Sequence, residues 1–457
     1  MRRYAGARRL FVYLLLTLTL AAFMWLFLAF SPLGISARLD KYTQDLFNAH
    51  LSGWIYPAEH QQDTAVLLLT DEVVDAVLQG QWPAPYSFHA TILSDLLEHQ
   101  PRAVFIDFYW MNQHKPGAEY LVSVLERYLE AEVPVYLSVP REGWLQSMWP
   151  ELVGLVIPVT PRVSLDATDF IARSYVQSYQ GLRSAAFAIA EDEFNIQAAH
   201  RGALDIFWGT RANPLNQAWM QEEEGGDGSI LGTLLQGFDG VKTPIPYTTT
   251  VFVRDLLNPV AETEDEALQE LDEHLKGRVI IYGASLSGIQ DMVFTPTRAI
   301  LPGAYYHAMA MDNLLTWGTR YKSATPSRSL PVLGSHTLPV LQFLVLLLIA
   351  ALVCHWKLNA ADRPLGRRIK ITVVTLILSA CAVQFFLLDL SVAVWAGFLE
   401  ILGLGVVIER LNLIERWYRP IRRGFCRLYT WIKGEQDAQA DLGRVTAERI
   451  DRPAGDS

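Results

Sequence analysis

Four acidic residues and one histidine stand where chemistry could occur. Asp71 and Glu72 follow the apolar run 65–69, Asp107 follows 103–106, Asp291 lies shortly after 279–282, and His307 opens a helical stretch. In open parallel sheets, ligands sit at the carboxyl ends of strands. Placed side by side there, these carboxylates form an acidic crevice suited to a cation or an amine. The competing reading is structural, since carboxylates after strands also cap helices and tie down loops through backbone N–H groups. Trp82, between Gln81 and Pro83 and close to Pro85, is either a rigid packed corner or an aromatic wall of a ligand site. His307 is either a satisfied, half-buried histidine or a pH sensor.

Ser285 and Ser287 lie in Gly283-Ala284-Ser285-Leu286-Ser287-Gly288, directly after an apolar run. That segment lacks the lysine of a P-loop and matches neither G-x-G-x-x-G nor the G-x-S-x-G elbow. Ser285, Asp291 and His307 supply the residue types of a triad, but types without geometry do not make one. No catalytic residue is therefore assigned, and the chain is expected not to be an enzyme. The three cysteines, Cys354, Cys381 and Cys426, form no CxxC and have no zinc spacing, so neither metal nor cofactor is expected.

The elements that must position these residues alternate in type. Buried strands are expected at 65–69, 103–108, 133–137 and 279–282, and helices at 87–99, 118–129 and 305–315. Such alternation implies an α/β domain with a mainly parallel or mixed sheet. The stretch 161–250 is less regular, and 221–228, rich in glycine and acid, reads as a loop.

The ends of the chain differ from its middle. With 51% hydrophobic residues, 19% charged residues and a mean hydropathy of +0.17, the 457-residue chain is too apolar for an ordinary soluble protein. Its net charge of −10 argues against a nucleic-acid partner. Four transmembrane helices are expected, one N-terminal at 11–30 and three C-terminal at 338–356, 371–388 and 390–408. Arginines and lysines crowd 1–10, the loop 357–370 and the segment after 408. Both termini are thus expected in the cytoplasm, with 31–337 outside a bacterial-type inner (plasma) membrane. Glu400 falls inside the last apolar run, and Gly397 and Gly403 share its side. The expectation is that it packs inside a helix bundle, within the chain or against a second copy in a homodimer. From 409 to 433 the pattern is a basic amphipathic helix. Its Arg416, Arg419, Arg422, Arg423 and Arg427 face either the anionic lipid bilayer or a cytoplasmic partner. The tail 434–457 is polar and expected to be disordered.

The order Thr70-Asp71-Glu72, Trp82-Pro83-Ala84-Pro85, Ile106-Asp107-Phe108 and Gly277-Arg278-Val279-Ile280-Ile281-Tyr282-Gly283-Ala284-Ser285 resembles the second class of CHASE domains. Asp291, Thr295-Pro296, Pro302-Gly303 and His307-Ala308 complete the resemblance, which covers about 40–321. It implies an exported sensory domain of the kind found with cyclases and histidine kinases, with one helix before it and three after. The stretch after the last apolar run is too short for a catalytic domain. The implied function is therefore a membrane-embedded receptor, which detects an extracytoplasmic small molecule of unknown identity and informs a separate cytoplasmic signalling protein. The alternative is a non-catalytic structural or scaffold subunit of a membrane complex.

Overall fold

The computed structural model describes residues 2–30, 35–111, 116–198, 201–211, 213–216, 246–258, 264–287, 291–325, 337–358 and 363–392. The calls at Gly397, Glu400, Gly403, the arginines 416–427, the helix 409–433, the tail and the loop 221–228 lie outside the described residues. The chain divides into two compact units. One comprises Met1–Leu39, Ser329–Val383 and Trp395–Ser457, the other Asp40–Arg328 and Gln384–Val394.

The second unit is built on six strands. In chain order they are β1 (Thr64–Thr70), β2 (Ala103–Ile106), β3 (Val135–Ser138), β4 (Ile157–Val159), β5 (Thr249–Phe252) and β6 (Val279–Ser285). They lie in the order β5-β1-β6-β2-β3-β4, and every neighbouring pair is parallel. A parallel sheet is covered on both faces, which is why β1 reads TAVLLLT and β2 reads AVFI with almost every residue buried. The first three predicted strands and the last each contain or overlap an observed one. The parallel α/β architecture is thus the one the alternation of patterns implies.

The pleat sends alternate residues to opposite faces. Leu67, Leu69, Val104, Ile106, Ile280 and Tyr282 join the core beneath helices α1 (Tyr86–Glu98) and α2 (Ala118–Glu130). α1 buries Ile92, Leu93 and Leu96 at helical spacing against this face. The other face carries α3 (Ala185–Phe194), which contacts β2 and β3, and α4 (Gly303–Trp317), which contacts β1 and β6. Between β6 and α4, the short antiparallel pair Met292–Phe294 and Ile300–Pro302 forms a hairpin. The irregular middle of the chain includes a small antiparallel sheet of Ser164–Leu165, Ala172–Tyr175 and Leu204–Asp205. Arg173 in it forms a bidentate pair with Asp45 at 2.8 Å for both contacts.

The first unit contains the helices Arg2–Phe30 and Thr337–Leu358 and most of Arg363–Leu387. Leu16, Leu20, Ala21 and Met24 pack against Leu346, Ile349, Ala350, Cys354 and Ile377. These helices occupy three of the four stretches expected to span a membrane, but the expectation of four transmembrane helices is not met. Among the described residues, no helix is long and apolar enough to cross a membrane. The physical reasons lie at the helix ends and in the packing. Arg2, Arg3, Arg8 and Arg9 occupy the first turns of one helix, and Arg363, Arg367, Arg368 and Lys370 those of another. Part of the apolar surface of these helices faces other helices. Of the fourth stretch, 390–392 is described, and Leu390, Ser391 and Val392 are buried in the second unit.

Candidate functional site

A cavity of about 400 Å3 opens at the carboxyl edge of the sheet, where β2 and β6 end side by side. Its lining includes Trp82, Tyr86, His89, Asp107, Phe108, Tyr109, Trp110, Pro161, Val163, Asp291 and His307. That volume is at the small end of the range for ligand pockets.

Each polar group has an identifiable support. Asp107 is the residue after β2, and its N–H donates to the Tyr282 carbonyl at 2.9 Å, so the ladder to β6 fixes its backbone. Ser138, the last residue of β3, donates to the Asp107 carboxyl at 3.4 Å. Asp291 sits opposite the start of α4. The N–H of Gly303 donates to its carbonyl at 2.9 Å, and a Cβ on Gly303 would lie 2.5 Å from its Oδ1. Gly303 thus lets this carboxyl lie close against the start of α4. Gly283 has a similar duty in β6, because a Cβ there would lie 2.8 Å from the Cβ of Ala304. These two glycines let α4 lie close to β6, and one turn further on α4 presents His307 to the cavity.

His307 is fully buried, and its tautomer follows from its neighbours. The Tyr175 hydroxyl accepts the Ala186 N–H at 3.1 Å, which leaves its proton to donate to Nδ1 of His307 at 2.8 Å. Nδ1 is therefore the acceptor and Nε2 carries the proton, 3.8 Å from an Asp107 oxygen. Burial lowers the imidazole pKa to about 3, so the ring is neutral across the physiological range. Its surroundings fit a satisfied buried histidine and do not fit a sensor that titrates near neutrality. The two carboxyls are shifted the other way. Burial raises Asp291 to about 6. Burial first, and the charge of Asp291 second, push Asp107 well above the usual carboxylate range, while the Ser138 hydrogen bond pulls it back.

Around these groups the wall is aromatic. Trp82, preceding a cis Trp82–Pro83 peptide, stands 6.3 Å from the Phe108 ring, and Tyr86 stands 5.9 Å from Trp110. Phe108 packs edge-on to Tyr282 at 4.8 Å, and His89 bonds the Tyr282 hydroxyl at 3.1 Å. The indole N–H of Trp110 is buried and has no acceptor among the described residues.

A family profile described as the CHASE2 domain matches residues 18–352. The chain belongs to the CHASE2 family. Nothing matches among curated proteins or among solved structures. CHASE2 is a sensory domain of the extracellular type rather than a catalytic one, so the chain carries a sensory module.

The CHASE2 fold brings together four of the eight residues singled out by sequence for a ligand, namely Trp82, Asp107, Asp291 and His307. The other four lie elsewhere. Asp71 accepts the Ser287 N–H at 3.0 and 3.2 Å, which ties the loop after β6 to the start of the helix Asp71–Ala76. Glu72 is exposed and pairs with Arg254 at 2.7 Å. Thr70 and Ser285 are register partners, so the helix after β1 and the loop after β6 leave the sheet together and hold each other. Ser285 and Ser287 belong to this join, and neither lines the cavity. No group of three or more potential metal ligands occurs among the described residues.

Sequence reasoning missed Tyr86, His89, Tyr109 and Trp110 as parts of the wall. The signal was present for two of them, because Phe108-Tyr109-Trp110 directly follows Asp107 at the end of a strand. A run of rings at that position must either fill the sheet edge or line a cleft.

Proposed function

We propose that this protein is a membrane-embedded receptor. Its CHASE2 domain lies outside a bacterial-type inner membrane and binds a small molecule in the cavity lined by Asp107, Asp291 and His307. Both termini lie in the cytoplasm, and a separate signalling protein there receives the change. The observation that carries this reading is the cavity. Two carboxyls with raised pKa values stand in a small aromatic pocket at the carboxyl edge of a parallel sheet. Perturbed, costly groups gathered in one cleft mark functional sites more often than structural ones. Membership of a sensory family supports the same reading. Phe11, Leu14, Leu18, Leu344, Leu348 and Leu378 are exposed on the helices of the first unit and supply apolar surface for lipid contact. In sequence, Arg416, Arg419, Arg422, Arg423 and Arg427 gather a positive charge suited to the anionic leaflet or the partner.

The test is photo-crosslinking in cells from positions between Asn412 and Lys433, with mass spectrometry of the captured species. A kinase or cyclase is the expected product. Capture of lipid alone, or of a second copy alone, would remove the receptor reading and leave a structural subunit.

A further inference from the structure

The walls of the cavity also constrain what can enter it. No lysine or arginine is among the lining residues, whereas two carboxyls are. Among the described residues neither Asp107 nor Asp291 forms an ion pair with an arginine or lysine, and the imidazole 3.8 Å from Asp107 is neutral. An anionic ligand would meet two carboxyls at the wall, while Arg162, whose charge is felt at Tyr109, is not itself part of the lining. A wholly apolar one would leave a buried carboxylate unpaired, which is costly. Five aromatic side chains, Trp82, Tyr86, Phe108, Tyr109 and Trp110, supply faces that attract a cation held away from water.

Resting on the receptor reading, we propose that the ligand is a monovalent organic cation. It is a protonated amine or quaternary ammonium on a flat apolar body. The cationic group lies against Asp291 and Asp107, and the body lies between the rings. Asp107 and Asp291 are buried carboxyls that feel each other's charge, so the cavity favours a positive group over a neutral or negative one. A compact divalent metal fits less well, because no cluster of three potential metal ligands stands among the described residues.

The experiment uses the full chain in lipid nanodiscs and three probes that differ in charge and little in shape. These are 2-phenylethylammonium, 2-phenylethanol and phenylacetate, titrated at neutral pH and followed by calorimetry. The ammonium is expected to bind about tenfold or more tighter than the alcohol, and the carboxylate weakest of all. Asp291→Asn should weaken the ammonium by about tenfold and leave the alcohol within about twofold. The variant is expected to be more stable than the wild type, so unfolding cannot account for a loss of binding. Equal or tighter binding of the alcohol or the carboxylate overturns the inference, as does an ammonium affinity indifferent to Asp291→Asn, or no binding by any probe. If the alcohol or carboxylate binds and Trp82→Ala abolishes it, the cavity is still a receptor site and only the cationic class is wrong. The crosslinking result stands or falls independently of all these outcomes.

Discussion

Replacing Asp291 by asparagine should stabilise the protein at neutral pH, and the structure gives the size of the effect. The carboxyl rises from 3.8 to about 6 because burial penalises its charged form. A folded-state value above the unfolded one means that the folded protein holds the proton more tightly. The contribution of this group to stability is therefore fully present below about pH 4 and is lost as pH rises through about 6. A shift of roughly two units corresponds to about 3 kcal/mol, and solvent at the cavity mouth reduces this to about 1–2 kcal/mol. The asparagine side chain has nearly the same shape as the aspartate and no charge to desolvate. Removing the charge at this position also lets Asp107 ionise more readily, so the pH dependence left in the variant belongs to Asp107 and its neighbours Ser138 and His307. The assay is urea unfolding followed by tryptophan fluorescence at several pH values. Wild type and variant should coincide near pH 4, separate between about 4 and 6, and stay separated above that. A variant less stable than wild type at neutral pH, or a gain that is the same at low pH, would refute the claim that this carboxylate is held at a cost to the fold.

Three further substitutions test the scaffold. Gly283→Ala places a methyl 2.8 Å from the Cβ of Ala304 and should cost about 1–3 kcal/mol by forcing α4 off the sheet; an unchanged urea midpoint would contradict the packing. Tyr175→Phe leaves Nδ1 of His307 and the Ala186 N–H without their partner, with an expected loss of about 1–3 kcal/mol by chemical denaturation. Asp389→Ala strands Lys322, which is 2% exposed and pairs with Asp389 at 3.1 Å, and should cost about 3–5 kcal/mol. Lys322→Met should cost less, because Arg320 still contacts Asp389 at 2.9 Å; the reverse order in denaturation midpoints would be wrong for this geometry.

Much of the sheet was legible because a strand covered on both faces must be apolar throughout, as 65–69 and 279–282 are. The position of a carboxylate after such a strand was equally legible, but its direction was not. Asp71 and Asp107 stand in the same relation to their strands. One turns to the N–H of Ser287 and the other into the cavity, and the difference is that Asp71 opens a helix whereas Asp107 leads into irregular chain. His307 and Asp291 could be named from the resemblance. What brings them together is the pair of close approaches at Gly283 and Gly303, which no periodicity encodes. The membrane-crossing helices were inferred from apolar run length alone. Run length says nothing of how much apolar surface the helices turn toward each other, as Leu20 and Leu346 do.

α4 is the element through which a ligand in the cavity would have to act. Its first turns carry Gly303 against Asp291 and His307 at the cavity wall. Its later turns are held by polar bonds rather than by apolar packing alone. The Asn313 side chain exchanges bonds with both the N–H and the carbonyl of Phe207 at 2.9 and 2.8 Å, and Asp312 accepts from the Tyr56 hydroxyl. At and just beyond its end, Trp317 and Lys322 contact Phe385, and Lys322 and Arg320 grip Asp389 in the segment 384–394. A helix so fixed along its length is poorly suited to bending and better suited to moving as a rigid rod, because satisfied polar networks resist partial rearrangement. Neutralising the charge at Asp291 would remove a strain of about 1–2 kcal/mol located at one end of that rod. A shift of that size is enough to change the ratio of two arrangements by roughly tenfold, which is the scale on which receptors work. The raised carboxyl is then not a defect of the domain but the reserve on which ligand binding could draw.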